Sequence, residues 1–370
     1  MLIPEPKIPG ISLTQIVPTP EPELLTGVPV FLGLATLKAE KQEPQKLTLA
    51  TQFEQYFHQV KGYLGDVIKG FFENGGSVCY VIGLVDNNLD TLRTGLEKSE
   101  ILENVDLVCV PDIMLGSETQ IIQMQQAVLQ HCEKIGDRFA ILDTLNIADL
   151  AKLDQQRREL ESNNAALYAP WLKIEHRADT IPPCGHIAGI YASCDRTTGV
   201  HRAPANLPLA GVLDLSFSLT PADQEQLNPP HQPGINCIRS LRGRGIRIWG
   251  VRTLSKNPEW QYINVRRLFL TFGRWANRNL ADTVFEPNTF PLWLRLQREL
   301  SVYCESLWRQ GALQGALPQE AFYIKCDAQT NPPENREMGQ VVAEIGLAPT
   351  IPGEFIQLLL VQTTSGIIVN

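Results

Sequence analysis

The sequence predicts a mixed α/β fold of the α+β class, a sheet flanked by helices with an extended arm at each end. Three observations predict it. Short, wholly apolar runs such as NVDLVCVPD and RFAILDT alternate with amphipathic stretches of helical period, the pattern of strands covered on both faces. Proline-bracketed PEPKIPGISLTQIVPTPEPE opens the chain, and EFIQLLLVQTT, apolar on both faces, lies near its end. Neither terminal stretch has an evident partner within the chain.

In order, Ile11, Leu13 and Ile16 are spaced like a short extended strand between prolines that keep it out of helices and central strands. GVPVFLGLA and GGSVCYVIGLV read as strands, with FEQYFHQVKGYLGDVIKGFFENGG between them as a helix stopped by Asn-Gly-Gly. NVDLVCVPD, the helix QIIQMQQAVLQHCEKIGD closed by Gly136, and RFAILDT make a βαβ unit. ALYAPWLKI follows as a further strand after a polar helical connector. The stretch from Ile181 to Pro233, rich in Pro, Gly, Asn and Thr, reads as long ordered loops with a strand or two.

INCIRSLRGRGIRIWGVRTL gives two strands about a tight RGRG turn. INVRRLFLTFGRWANRNL reads as a helix burying Val265, Leu268, Phe269 and Phe272. Pro291 opens a second helix with Trp293, Leu296, Leu300, Tyr303 and Leu307 on one face and Arg295, Arg298, Glu305 and Arg309 on the other. The apolar C-terminal strand, with Phe355, Ile356, Leu358 and Leu360, must be paired, because left open it is an aggregation hazard. The expected division is an N-terminal arm (1–26), an α/β domain (27–180), a second domain (181–352) and a C-terminal arm strand (353–370).

An apolar fraction of 44% is enough for a sizeable core. No apolar run approaches the roughly 20 residues that cross a bilayer. MLIPEPKIPGISL has no basic segment leading into an apolar one, so no signal peptide and a cytoplasmic location are the expectation. The eight cysteines are scattered, mostly among apolar neighbours, and no two share the spacing of a zinc or redox motif. Reduced, structural thiols are expected. Between Arg239 and Arg309 the local balance is +8 while the whole chain is −8, leaving −16 elsewhere. Such opposed fields favour an anionic partner or self-association of unlike faces.

PPCGHIAGIYASCDRTTGVHRAPAN brings Cys184, His186, Cys194, Asp195 and His201 into one stretch. A metal site lacks ligand spacing here, and a Cys184 nucleophile would have only His201 as base. SLRGRGIRIWG lacks the Lys-Ser/Thr ending and following helix of a phosphate loop. Thirteen basic residues in the last third raise nucleic-acid binding, but no recognised motif accompanies them. The residues therefore favour ordinary loop and strand positions here, with an α/β enzyme using Cys184 and His201, and then a nucleic-acid binder, as the alternatives.

The same stretch resembles the loop-and-strand signature of contractile phage tail sheath proteins. The matching positions are Ala188 to Ala192, Asp195, Gly199-Val200 and Ala203 to Asn206. The resemblance continues in INVRRLFLTF, FEPNTFPLWLRLQRE and LWRQGALQGALPQEAFYIKCD, and reaches back to GVPVFLGLA and FFENGGSVCYVIGL. It implies a sheath subunit stacked in six-membered rings, helically arranged around an inner tube. The sheath assembles stretched and then shortens and widens, driving tube and spike through a target envelope. Neither catalysis nor a cofactor is implied, nor nucleic acid, nor membrane insertion.

Implied partners are further copies of the chain, the inner tube protein, baseplate and terminator or cap proteins, and sheath paralogues where a particle has several. The particle would be assembled in the cytoplasm and released, or held at a membrane through its baseplate. The chain's compactness leans toward a phage-tail-like injection system, with a true bacteriophage tail as the alternative. On this reading Ile11, Leu13, Ile16, Phe355, Ile356, Leu358 and Leu360 are inter-subunit strand residues. Arg295, Arg298 and Arg309 are the candidate contact with the tube or a neighbour.

Overall fold

The computed structural model describes residues 24–38, 43–58, 62–230, 232–353, 360–363 and 366–369. The core is an eight-stranded sheet. Its strands in chain order are β1 (Pro29–Leu34), β2 (Gln45–Leu47), β3 (Cys79–Leu84), β4 (Leu107–Cys109), β5 (Phe139–Asp143) and β6 (Ala165–Ala169), joined after two short strands by β9 (Ile235–Leu241) and β10 (Gly245–Trp249). Their spatial order is β10-β9-β6-β5-β4-β1-β3-β2. The strands from β9 to β3 run parallel, and β10 and β2 close the edges antiparallel.

Alternate side chains of the same strands feed two cores, as the two-residue period of a strand requires. Phe31, Val81, Ile141 and Tyr168 enter one apolar cluster. Val30, Leu32, Ile82, Leu142 and Leu167 enter the other. The first face is covered by α2 (Leu64–Glu73) and α6 (Cys184–Thr197), preceded in the chain by the one-turn α1 (Gln52–Tyr56). The second is covered by α3 (Leu89–Ser99), α4 (Glu118–Ile135) and α5 (Leu150–Glu159). Helix α4 starts with a Ser117/Gln120 capping box and ends at Gly136 in the left-handed region, φ +75°, as expected.

Two small elements flank the sheet: a ribbon of β7 (Leu172–Ile174) with β8 (Val212–Leu215), and the short α7 (Pro221–Leu227). Beyond β10 the chain builds a second lobe from α8 (Ile263–Asn279), α9 (Phe290–Arg309), the short α10 (Pro318–Ala321) and α11 (Pro333–Glu337), and the hairpin β11 (Phe322–Lys325) and β12 (Glu344–Leu347). Trp275 of α8 stacks on Tyr303 of α9 at 3.9 Å between nearly parallel rings. A last hairpin pairs β13 (Leu360–Thr363) with β14 (Gly366–Val369).

Four expectations are corrected. The boundary at 180/181 does not separate two cores, because β6 and β9 pair in parallel within one sheet. The helix expected across FEQYF to ENGG is two helices: α1 stops at Phe57, where the backbone is extended, and α2 begins only at Leu64. The Ile181 to Pro233 loops contain the fourteen-residue helix α6. Phe269 is half-buried against Trp260, and Leu270 takes the core position instead.

Candidate assembly interface

Helix α6 is the signature stretch, and its glycines explain why it is a helix despite their low propensity. A Cβ on Gly185 would sit 2.1 Å from the Val67 carbonyl oxygen, and one on Gly189 2.4 Å from that of Phe71. The two positions, one turn apart, let α6 lie directly on the backbone of α2. His186 between them is buried with both ring nitrogens unpartnered. Burial pulls its pKa down to about 4.

Cys184 heads the helix, where its backbone N–H donates to Asp143 Oδ1 at 2.9 Å. Burial raises its thiol pKa well above the ordinary value, helped by Cys109 and Asp143. It also pushes Asp143 up to about 7, against the hydrogen bonds that Cys184 donates. His201 lies beyond the other end of α6, about 20 Å of helix away at 1.5 Å per residue. Cys194 is buried too, its thiol held up to about 11 by burial. The structure thus keeps Cys184 and His201 apart, and the described residues include no group of three His, Cys, Asp or Glu able to hold a metal.

In an open parallel sheet, ligands collect at the carboxyl ends of strands where the winding direction reverses. Here that point lies between β1 and β4, and the chain's own Asp112 fills it. Its carboxylate accepts the Leu34 N–H at 2.7 Å and the Tyr63 N–H at 2.5 Å, at the start of α2. A helix N-terminus that elsewhere holds a phosphate is occupied internally. Burial raises Asp112 to about 6 in spite of these donors.

Asp195, the acidic residue of the signature, meets Arg267 of α8. Arg267 donates Nη1–H to Asp195 Oδ1 at 2.9 Å and Nη2–H to Oδ2 at 2.6 Å, and also reaches Asp106 Oδ2 at 2.9 Å. Asp106 in turn accepts the backbone N–H groups of Gly27 and Val28 at 3.0 and 2.7 Å. The guanidinium sits over the Tyr191 ring, whose hydroxyl is 2.7 Å from that of Tyr168. Burial opposes the Arg267 charge, but the Asp195 and Asp106 carboxylates outweigh it and raise the pKa. Asp195 is shifted upward by burial, with Arg267 pulling the other way. Gly27, at φ +68°, passes so close to α6 that a Cβ would lie 2.5 Å from Ala192 Cα.

The excess of cations in the last third does not make α9 a basic face. Arg295 is wrapped by Asp282, Glu286 and Glu299, and Arg309 pairs with Glu305. Arg252, Arg267 and Arg274 are buried. Arg298 is exposed without an ion pair among the described residues. It lies four residues from both Leu294 and Val302, and Phe290 is one turn before Leu294. These three apolar side chains are 54%, 64% and 67% exposed for Leu294, Val302 and Phe290 respectively. Composition missed this stripe; a period-four reading of α9 shows it.

The described residues do not include Ile11, Leu13, Ile16, Phe355, Ile356 or Leu358. Leu360 is in β13 opposite Val369. Approaching the C-terminus, Thr350 is held by Ala312 and by Asn264 of α8, and Leu313 bridges Pro349. The signature residues Ala203, Ala205 and Asn206 line a groove of about 640 Å³ with Trp249, Arg252 and Pro352.

The signature helix is thus spent on packing, the switch point is filled from within, and the roots of both terminal segments are firmly held. Residues 94–254 match the family model described as phage tail sheath protein central domain. The chain resembles the tail sheath protein of Enterobacteria phage T4, 25% identical over 187 residues, half of this chain but 28% of that protein. It thus spans well under two thirds of that relative's length. Among solved structures it superposes on a chain of the anti-feeding prophage baseplate with TM-score 0.81 and 28% identity, covering 97% of this chain and 99% of that one. It superposes equally on a chain of the PVC extracellular contractile injection system sheath complex in the contracted state, TM-score 0.80 and 28% identity, covering 98% and 99%. The chain is similar to tail sheath proteins over the central region 94–254 and in its overall fold. Among the described residues, no helix is long and apolar enough to cross a membrane.

Proposed function

We propose that this chain is the structural subunit of a contractile sheath, polymerising as helically stacked six-membered rings around an inner tube and contracting to drive tube and spike through a target envelope. The observation that carries the reading is the likeness to chains of injection-system sheath structures over essentially the full length of both partners. That extent favours an extracellular injection particle over a phage tail, since the phage sheaths are matched over less of their length, 28% for phage T4 and 70% for phage P2. The sheath would work by packing and re-packing rather than by catalysis. Its partners are further copies, the inner tube, baseplate and cap proteins, and any sheath paralogues in the particle.

Ile11, Leu13, Ile16, Phe355, Ile356, Leu358 and Leu360 are proposed as strand residues exchanged between neighbouring subunits. Heterologous contacts of this kind need not close, which suits an open helix. The proposed tube or neighbour contact is narrowed to Arg298 with Phe290, Leu294 and Val302, because Arg295 and Arg309 are already paired. Co-expression with the inner tube, followed by negative-stain electron microscopy, tests the reading. Striated hollow cylinders, some long and narrow and others short and wide, are expected. Only discrete monomers or dimers under every salt condition would overturn it.

A further inference from the structure

The first turn of α8 holds the roots of both terminal segments at once. Asn264 and Arg267 are three residues apart and so project from one side of the helix, and both are 3% exposed. Asn264 Nδ2–H donates to the His201 carbonyl at 2.8 Å and to the Thr350 carbonyl at 3.1 Å. Arg267 grips Asp195 and Asp106, and Asp106 fixes the N–H groups of Gly27 and Val28. Gly27 and Thr350, more than three hundred residues apart in sequence, are thereby fixed to neighbouring side chains of one helical turn.

Packing alone does not account for this choice of residues. Buried charges are weak sources of stability compared with apolar side chains of similar volume. What they supply is a defined position, since a buried charge whose partner moves away is left uncompensated. Here the partners belong to three separate elements: the entry to β1, the end of α6 and the turn leading into β4. Asn264 adds two more, the loop after α6 at His201 and the segment after β12 at Thr350. The wall between the sheet and the second lobe is also α8, with Ile263 and Leu270 in the sheet core and Leu268 and Phe272 in the lobe core.

We infer that the first turn of α8 is a mechanical node that couples the root of the N-terminal segment to that of the C-terminal segment, with Arg267 and Asn264 as positioning residues. In a sheath whose subunits stay linked through terminal arms, a pull on one arm would pass through this turn to the other. That use rests on the sheath reading; the coupling itself does not.

Hydrogen exchange on the purified full-length chain tests the coupling. The variants are Asn264→Ala and the conservative Arg267→Lys. Readouts are the amides of Gly27 and Val28, that of Thr350, which bonds to the Ala312 carbonyl at 3.0 Å, and β5 as an internal reference. Each variant is expected to speed exchange about tenfold or more at both roots while β5 stays protected, the signature of a sub-global opening. Independent loosening, Asn264→Ala acting only at Thr350 and Arg267→Lys only at Gly27 and Val28, would overturn the node. So would equal loosening of β5, which signals general destabilisation. If Arg267→Lys does not fold, Asn264→Ala alone decides through its effect on Gly27. Failure to see cylinders by microscopy would strike the sheath reading and leave this result standing.

Discussion

Asp195 of α6 and Arg267 of α8 form a two-pronged ion pair, 2.9 and 2.6 Å, in which both side chains are almost fully buried. Two separate stretches of the sheath-like signature therefore meet in one contact. Removing a single partner strands the other charge in the core, at a cost of about 3–5 kcal/mol. Asp195→Asn and Arg267→Met are each expected to lower stability by that order. Their combination should lose distinctly less than the sum, because neither residue of the pair is left charged against a missing partner, although Asp106 still loses Arg267. Urea unfolding of the two single variants and the double one measures the coupling. Strict additivity would show that the pair contributes no interaction.

Two buried groups, Asp143 and His186, are expected to pull the stability of the folded chain in opposite directions between about pH 4 and 6.5 and largely to cancel there. Asp143 is raised from 3.8 to about 7, so the folded state holds its proton more tightly than the unfolded one. The stability from this group is complete below pH 3.8 and is lost as pH rises toward 7, at most roughly 1.4 kcal/mol for each pH unit crossed. His186 is lowered from 6.5 to about 4, the opposite case. Its contribution is complete above pH 6.5 and is lost as pH falls toward 4, because protonation puts a charge where no partner awaits it. Asp143→Asn should therefore leave a stability that falls as pH drops from 6.5 to 4, and His186→Leu one that falls as pH rises from 4 to 7. Thermal unfolding from pH 4 to 8 checks both, and variants that keep the wild-type pH profile would refute the assignment.

The sheet was legible because its strands are continuous apolar runs, and the hairpin because RGRG needs φ above zero at Gly243 and Gly245, as it has. Helix α6 was not. Gly185 and Gly189 look like loop residues in a one-dimensional reading; only the backbone of α2 lying against them shows why they are there. The charge count was equally blind to depth. It entered Arg252, Arg267 and Arg274 as surface cations although all three are buried, and it could not see three carboxylates closing on Arg295. The switch-point plug was hidden for a similar reason, since nothing near Asp112 in sequence announces Leu34 and Tyr63 as its donors.

The close approach of α6 to α2 makes a sharp packing prediction. Gly185→Ala places a methyl group 2.1 Å from a backbone oxygen that cannot rotate away. The helices must separate, and overpacking of this kind costs about 1–3 kcal/mol or more. By contrast Gly136→Ala meets open space and is penalised only for its positive φ. Denaturant midpoints of the two variants should differ clearly, with Gly185→Ala the weaker. Similar midpoints would mean that α6 and α2 are less tightly apposed.

Cys184 and His201 should be separable from assembly. Cys184→Ala removes a buried sulfur and is expected to cost about 1 kcal/mol, as for other small deletions in a core. His201→Ala leaves the carbonyl that Asn264 uses in place. Both variants are expected to form sheath cylinders in wild-type amounts. Loss of cylinders by a stably folded Cys184→Ala or His201→Ala protein would reopen a chemical role for the signature stretch.

The exposed stripe of α9 and its paired arginines should respond differently to charge reversal. Arg298→Glu changes a side chain that has no ion pair among the described residues, so the monomer's melting temperature should hardly move. Attachment to the tube or to the adjoining subunit should weaken. Arg295→Glu instead places a fourth carboxylate beside Asp282, Glu286 and Glu299, and should destabilise the monomer first. Because exposed pairs are screened within about 10 Å at 0.1 M salt, a polar contact through Arg298 should also weaken as salt rises, whereas contacts through Leu294 and Val302 should not. Cylinder yield across a salt series, for wild type, Arg298→Glu and a Leu294→Ser/Val302→Ser double variant, separates the two contributions. Wild-type yield from both variants at every salt concentration would remove this face from the assembly surface.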